Sequence, residues 1–179
     1  MLFRSVDPST CGLGVLNGAN GTPQDVNSPF SVIADGKDIV AGSNSFCGDH
    51  TLAHEFGHNM GLEHDRANAT GQGVFPYSYG YGIAGVFGDI MSYIYPKVQK
   101  FSNPAINCAT NQPCGIVETD PVNAANNALS LNNTRFTIAG FVAPTGLDTT
   151  PNTFSFTNLS GVNAGDPLAS EYKIGRAHV

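Results

Sequence analysis

Residues 54–65 read His54-Glu55-Phe56-Gly57-His58-Asn59-Met60-Gly61-Leu62-Glu63-His64-Asp65. His54 and His58 are four positions apart, and at about 100° per residue two such side chains share one helical face and can grip one ion. Glu55 lies beside that face, where its carboxylate can touch water without occupying a ligand position. Leu52, Phe56 and Met60 form a separate stripe at i, i+4 and i+8, expected to face the core while the imidazoles face a cleft. The pattern predicts a helix over residues 51–60, capped at its start by Asp49 or Thr51. Gly61 can take the left-handed conformation that ends a helix, turning the chain so that His64 returns to the ion. Three neutral imidazoles leave zinc one open position, which is the catalytic rather than the structural arrangement. Such a site brings the pKa of its water from about 16 towards 7, and Glu55 is placed to take the proton as general base. The chemistry implied is amide hydrolysis by a zinc-activated water, with no covalent intermediate.

The full pattern, His-Glu-x-x-His-x-x-Gly-x-x-His with Asp89-Ile90-Met91-Ser92-Tyr93 following, resembles the metzincin metallopeptidases; Met91 lies 27 residues beyond His64. The resemblance implies a metzincin-like α/β (α+β) zincin. Its parts would be a truncated, twisted mixed sheet, an active-site helix, a methionine turn with Met91 as an apolar floor, and a C-terminal helix. Asp65, directly after the third histidine, is similar to the reprolysin or adamalysin branch, where the aspartate braces the site from outside the ligand shell. Phe101-Ser102-Asn103-Pro104 and Cys11-Gly12-Leu13-Gly14 are similar to segments of bacterial reprolysin-like enzymes, so the resemblance spans roughly residues 10 to 140. Met91-x-Tyr93 is instead similar to astacins and serralysins, which implies that Tyr93 reaches the zinc or the oxyanion; the alternative is a packed aromatic. The implied activity is that of a zinc metalloendopeptidase with one catalytic Zn2+, acting on proteins or peptides. Two other readings stand beside it. A catalytically silent adhesion or binding domain could keep this scaffold, although such relatives usually lose the glutamate or a histidine, and Glu55 and all three histidines are in place. A metal-dependent hydrolase of non-peptide substrates is the other.

With 179 residues, 41% of them hydrophobic, the chain can bury one core and begin a second unit. A net charge of −6, with only 12% charged residues and no basic run, argues against nucleic-acid binding. The longest apolar stretches, such as residues 136–143, are too short to span a bilayer. A monomeric, secreted, bacterial enzyme is expected. Its four cysteines permit three pairings, of which Cys11 with Cys47 and Cys108 with Cys114 would each tie down a loop near the active-site helix or the substrate wall. Free thiols in a reducing compartment are the alternative. Ca2+ could bind among the Asp- and Asn-rich loops, but no calcium-loop pattern supports it. His50 reads as a solvated residue near the helix start, and Asp49 and Glu63 as surface or capping carboxylates.

Along the chain, residues 12–16 and 30–34 read as short strands separated by a turn-rich segment. Residues 30–34 are the expected edge strand for pairing with an extended substrate. A Gly- and Tyr-rich loop covers 71–88, and residues 95–104 would line the pocket for the side chain after the scissile bond. A terminal helix is expected over 123–132, continuing towards 141. The catalytic domain would then be residues 1–142, with 143–152 a linker and 153–172 the start of a β-sandwich-like module. Metzincin domains place several strands and a helix ahead of the zinc helix, yet only 53 residues precede His54. A fragment lacking its N-terminal strands is therefore expected, and residues 1–11 carry no apolar run of a signal peptide. Residues 173–179, Lys-Ile-Gly-Arg-Ala-His-Val, match a translated common sequencing adapter and are expected to be foreign, which removes His178 from any metal argument.

Overall fold

A computed structural model describes residues 2–5, 11–34, 48 and 50–141. The expectations for Asp49, Cys47, the linker, the β-sandwich-like module and residues 173–179 lie outside the described residues, as does the Cys47 half of the first expected bridge. Frequent glycine and proline, 21 and 11 residues, keep the strands short. Among the described residues the result is a small mixed α/β fold of short sheets and two α-helices.

The largest sheet has three strands in the order β1 (Leu2–Ser5), β3 (Ser31–Ala34), β2 (Gly12–Gly14). β1 runs parallel to β3, with Leu2 opposite Ser31 and Ser5 opposite Ala34, and β2 runs antiparallel, with Gly12 opposite Ile33 and Gly14 opposite Ser31. This corrects the expected edge. β3 is central and paired on both sides, so it has no free backbone groups to offer, whereas β2 is the outer strand beside the helix.

Helix α1 (Thr51–Asn59) packs on β2 and β3. Its N-cap is His50, with no side-chain capping bond; Thr51 is the first helical residue rather than the cap, and its N–H donates to the Gly48 carbonyl at 2.9 Å. The apolar stripe does not face the core: Leu52 is 38% and Phe56 46% exposed. The buried positions are Glu55, Gly57, His58 and Asn59. Polar burial is tolerated because the hydrogen-bonding capacity is used. Asn59 Nδ2 donates to the Val15 and Phe30 carbonyls at 3.1 and 2.9 Å, and its Oδ1 accepts from Ser31 Oγ at 2.7 Å. Asn59 therefore bolts α1 to the ends of β2 and β3.

The helix ends as a Schellman motif. Leu62 N–H donates to the Gly57 carbonyl and Gly61 N–H to the His58 carbonyl, both at 2.9 Å. Gly61 has φ +89°, the left-handed value expected of it. The reversed chain enters β4 (Glu63–Asp65), which pairs parallel with β5 (Tyr79–Gly80). Two hairpin-like pairs follow, β6 (Gly82–Ile83) with β7 (Phe87–Gly88) and β8 (Asn107–Ala109) with β9 (Gln112–Pro113). The second is closed by the Cys108–Cys114 disulfide.

Helix α2 covers Asn127–Ala139 rather than starting at 123. Ala125 pairs with Ile116 in a bridge, and Asn126 caps the helix by accepting from Leu129 N–H at 3.1 Å, so the helix cannot begin earlier. Ser102 Oγ accepts from Asn127 N–H and donates to the Tyr79 carbonyl, and Ser78 meets Ser130 at 2.8 Å. Between the helices lies a small core of Leu62, Ile90 and Met91, covered by Ala53, Phe101 and Leu131.

Candidate metal centre and active site

α1 presents His54 and His58 side by side, and the turn at Gly61 brings His64 back to them. Their ring centroids are 4.7 to 5.2 Å apart, and one nitrogen from each ring lies within 4.8 Å of the others. The far side of each ring is held. His54 Nδ1 donates to the Ile90 carbonyl and His58 Nδ1 to the Leu62 carbonyl, each at 2.7 Å. A carbonyl only accepts, so Nδ1 must carry the proton and Nε2 must present its lone pair. His64 Nδ1 is 3.2 Å from Glu63 Oε1, and a carboxylate at that place favours the same tautomer. His58 Nε2 and His64 Nε2 then face each other at 3.1 Å. Two lone pairs at that distance repel, and a cation between them relieves it. Nitrogens about 2.0–2.1 Å from a tetrahedral zinc stand about 3.3 Å from one another, so the His58–His64 pair fits that ion, with His54 within 4.8 Å to complete the set.

Burial holds His54 in its neutral form by lowering its pKa to about 3, and burial also lowers His58. Both are ready to bind a metal without losing a proton. Glu63, expected at the surface, is instead 3% exposed. Burial pushes its carboxyl up, but hydrogen bonds from the His64 side chain and main chain outweigh that and hold it below the usual range. It accepts from His64 N–H at 3.1 Å as well. Its place directly beside His64 is the sequence signal for this role.

Met91 is fully buried in the turn that follows β7, where Ser92 N–H donates to Asp89 Oδ1 at 2.8 Å. A Cβ on Gly57 would stand 2.5 Å from Met91 Sδ, so the glycine admits the sulfur against α1, one residue before His58. Asp65 joins the same turn to β4: its Oδ2 accepts from Tyr93 N–H at 2.8 Å, and its Oδ1 from Ala67 N–H at 3.2 Å. Tyr93 is 54% exposed. Its hydroxyl is 2.9 Å from His64 Nε2 and its ring lies on the His64 ring, so it stands at the mouth of the triad.

Glu55 is 5% exposed, and burial raises its carboxyl to about 7, opposed by a hydrogen bond from the Gly14 backbone. Gly12 and Gly14 explain its seat. A Cβ at Gly12 would overlap the Glu55 carboxyl, and one at Gly14 would stand 2.6 Å from the Glu55 carbonyl oxygen. The Gly-x-Gly spacing of β2 is visible in the sequence, but its reason lies in the helix set against it. Two cavities flank Glu55 and His54, one of about 380 Å³ reaching Tyr95 and Lys97, the other of about 220 Å³ reaching Leu16 and Thr70.

The family of M12B metallopeptidases, reprolysin-like, matches residues 1–120. The chain belongs to that family. It is also 34% identical over 137 residues to a "Peptidyl-Asp metalloendopeptidase" of Pseudomonas aeruginosa, an alignment covering 65% of this chain and 22% of the relative. The chain thus spans about a fifth of that relative's length. No solved structure matches. No helix among the described residues is long and apolar enough to cross a membrane.

Proposed function

We propose that this M12B chain is a zinc-dependent metalloendopeptidase. The observation that carries the reading is the convergence of three Nε2 lone pairs beside a buried carboxylate. His54, His58 and His64 would hold the ion, which when bound supplies an acidified water and a polarised scissile carbonyl. Glu55 takes a proton from the attacking water on its carboxylate and returns it to the leaving amide nitrogen. A pKa raised towards neutrality suits a group that must both accept and release. Tyr93 Oη, at the rim, donates to the oxygen that gains charge. Met91 and Asp65 hold the turn that carries Tyr93, so they act on position rather than on substrate.

The β2 edge, and not β3, is the strand on which an extended peptide adds its backbone. The relative's name extends the proposal to peptide bonds beside aspartate. The Cys108–Cys114 disulfide supports an oxidising, extracellular setting.

The test pairs wild type with Glu55→Gln, measuring bound zinc and cleavage of casein. Equal zinc, with activity lower by about a hundredfold to ten-thousandfold in the variant, is the expected outcome. Zinc-loaded protein of both kinds that leaves casein and unstructured peptides intact would establish the silent binding-domain reading instead.

A further inference from the structure

The larger cavity beside Glu55 is walled by one lysine. Lys97 Nζ donates to two neutral backbone oxygens, that of Asp89 at 2.9 Å and that of Ser92. Among the described residues no carboxylate comes within ion-pair distance of it. Two carbonyls orient an ammonium but do not neutralise it, and they leave one of its three N–H groups unused. The position is fixed from behind as well: Gly88 N–H donates to the Pro96 carbonyl at 2.7 Å and Val98 N–H to the Gly88 carbonyl at 2.8 Å. Both oxygens holding the ammonium belong to the Asp89–Ser92 turn, whose Ile90 carbonyl accepts from His54 Nδ1. The charge is therefore held in register with the reacting centre. The Tyr95 ring, 5.7 Å from Nζ and 69% exposed, forms the outer wall.

We infer that Lys97 is a specificity-determining residue, whose ammonium receives the carboxylate of an acidic substrate side chain next to the scissile bond. The inference rests on the peptidase reading and adds the residue that selects the substrate. A cation already desolvated and held by neutral oxygens has lost part of its hydration before substrate arrives, so a carboxylate gains more from it than from a surface lysine. An amide of the same shape gains little, because it brings no charge.

The experiment measures kcat/KM of the zinc-loaded protein on a pair of otherwise identical peptides with one Asp or one Asn beside the cleaved bond. Wild type prefers the Asp peptide by on the order of tenfold to a hundredfold. Lys97→Met lowers that ratio towards one, Lys97→Arg keeps most of it because charge is retained, and Arg135→Met, on the exposed side of α2, leaves it unchanged. Reading a ratio within each protein separates selectivity from any loss of folded material. A wild-type ratio near one, or an undiminished ratio in an active Lys97→Met protein, overturns the inference and leaves the peptidase reading standing. Wild type that cleaves neither peptide nor casein overturns both.

Discussion

Gly61→Ala tests the turn that returns His64 to the other two histidines. Two separable costs apply. The φ of +89° is left-handed, which costs a residue with a Cβ about 1–2 kcal/mol. The added methyl would also stand 2.6 Å from Val74 Cβ and 2.9 Å from the Asn17 carbonyl oxygen, an overlap worth about 1–3 kcal/mol. The sum is about 2–5 kcal/mol, or about 6–15 °C in Tm for a chain of this size. Gly85 separates the two terms, because its φ is +75° and an added methyl there would meet nothing within 4 Å. Gly85→Ala should lose only the backbone term, about 3–6 °C. Asparagine tolerates left-handed backbone, so Gly85→Asn should recover stability while Gly61→Asn should not. Thermal melts by circular dichroism with a chelator present read this without the added stability of bound zinc. Equal losses for Gly61→Ala and Gly85→Ala would refute the close-packed turn.

Two further outcomes are expected. Asp65→Ala strips the acceptor from Tyr93 N–H and should cost about 1.5–3 kcal/mol, with zinc affinity down about tenfold to a hundredfold; competition with a chromogenic chelator measures the affinity, and an unchanged value would remove Asp65 from support of the site. Asp89, fully buried, has its carboxyl raised to about 7 by burial, from 3.8. Native protein keeps that proton between about pH 4 and 7 while the unfolded chain releases it, so stability relative to Asp89→Asn should fall as pH rises through that window, by at most about 1.4 kcal/mol per pH unit. Urea unfolding of both proteins across the window checks it, and parallel profiles would contradict it.

The clustering of His54, His58 and His64, the left-handed Gly61 and the buried Met91 were legible because each depends on local spacing or on a motif with one geometric solution. What was not legible depends on tertiary contacts. Leu52 and Phe56 have the period of a core stripe, but α1 meets β2 and β3 through Asn59, and only the partner carbonyls of Val15 and Phe30 make that polar face the inner one. Strand order was equally hidden: residues 30–34 and 12–16 read alike, and only the pairing with β1 made the former central. Glu63 looks like any surface acid until the turn folds His64 over it. The start of α2 moved from 123 to 127 because a bridge to Ile116 claims Ala125, a long-range pairing that helical periodicity does not register.

Two of the three clustered histidine rings are aimed by main-chain oxygens, those of Ile90 and Leu62, and every amino acid supplies that oxygen. Exchanging the side chain at position 62 or 90 alters the filling beneath the site but cannot delete the group that aims His58 or His54. The third ring is aimed by a side chain, Glu63, and a single nucleotide change can remove it. Drift in this cluster is therefore uneven: the aim of His54 and His58 is buffered against point substitution at their supports, and the arm most open to change is Glu63–His64.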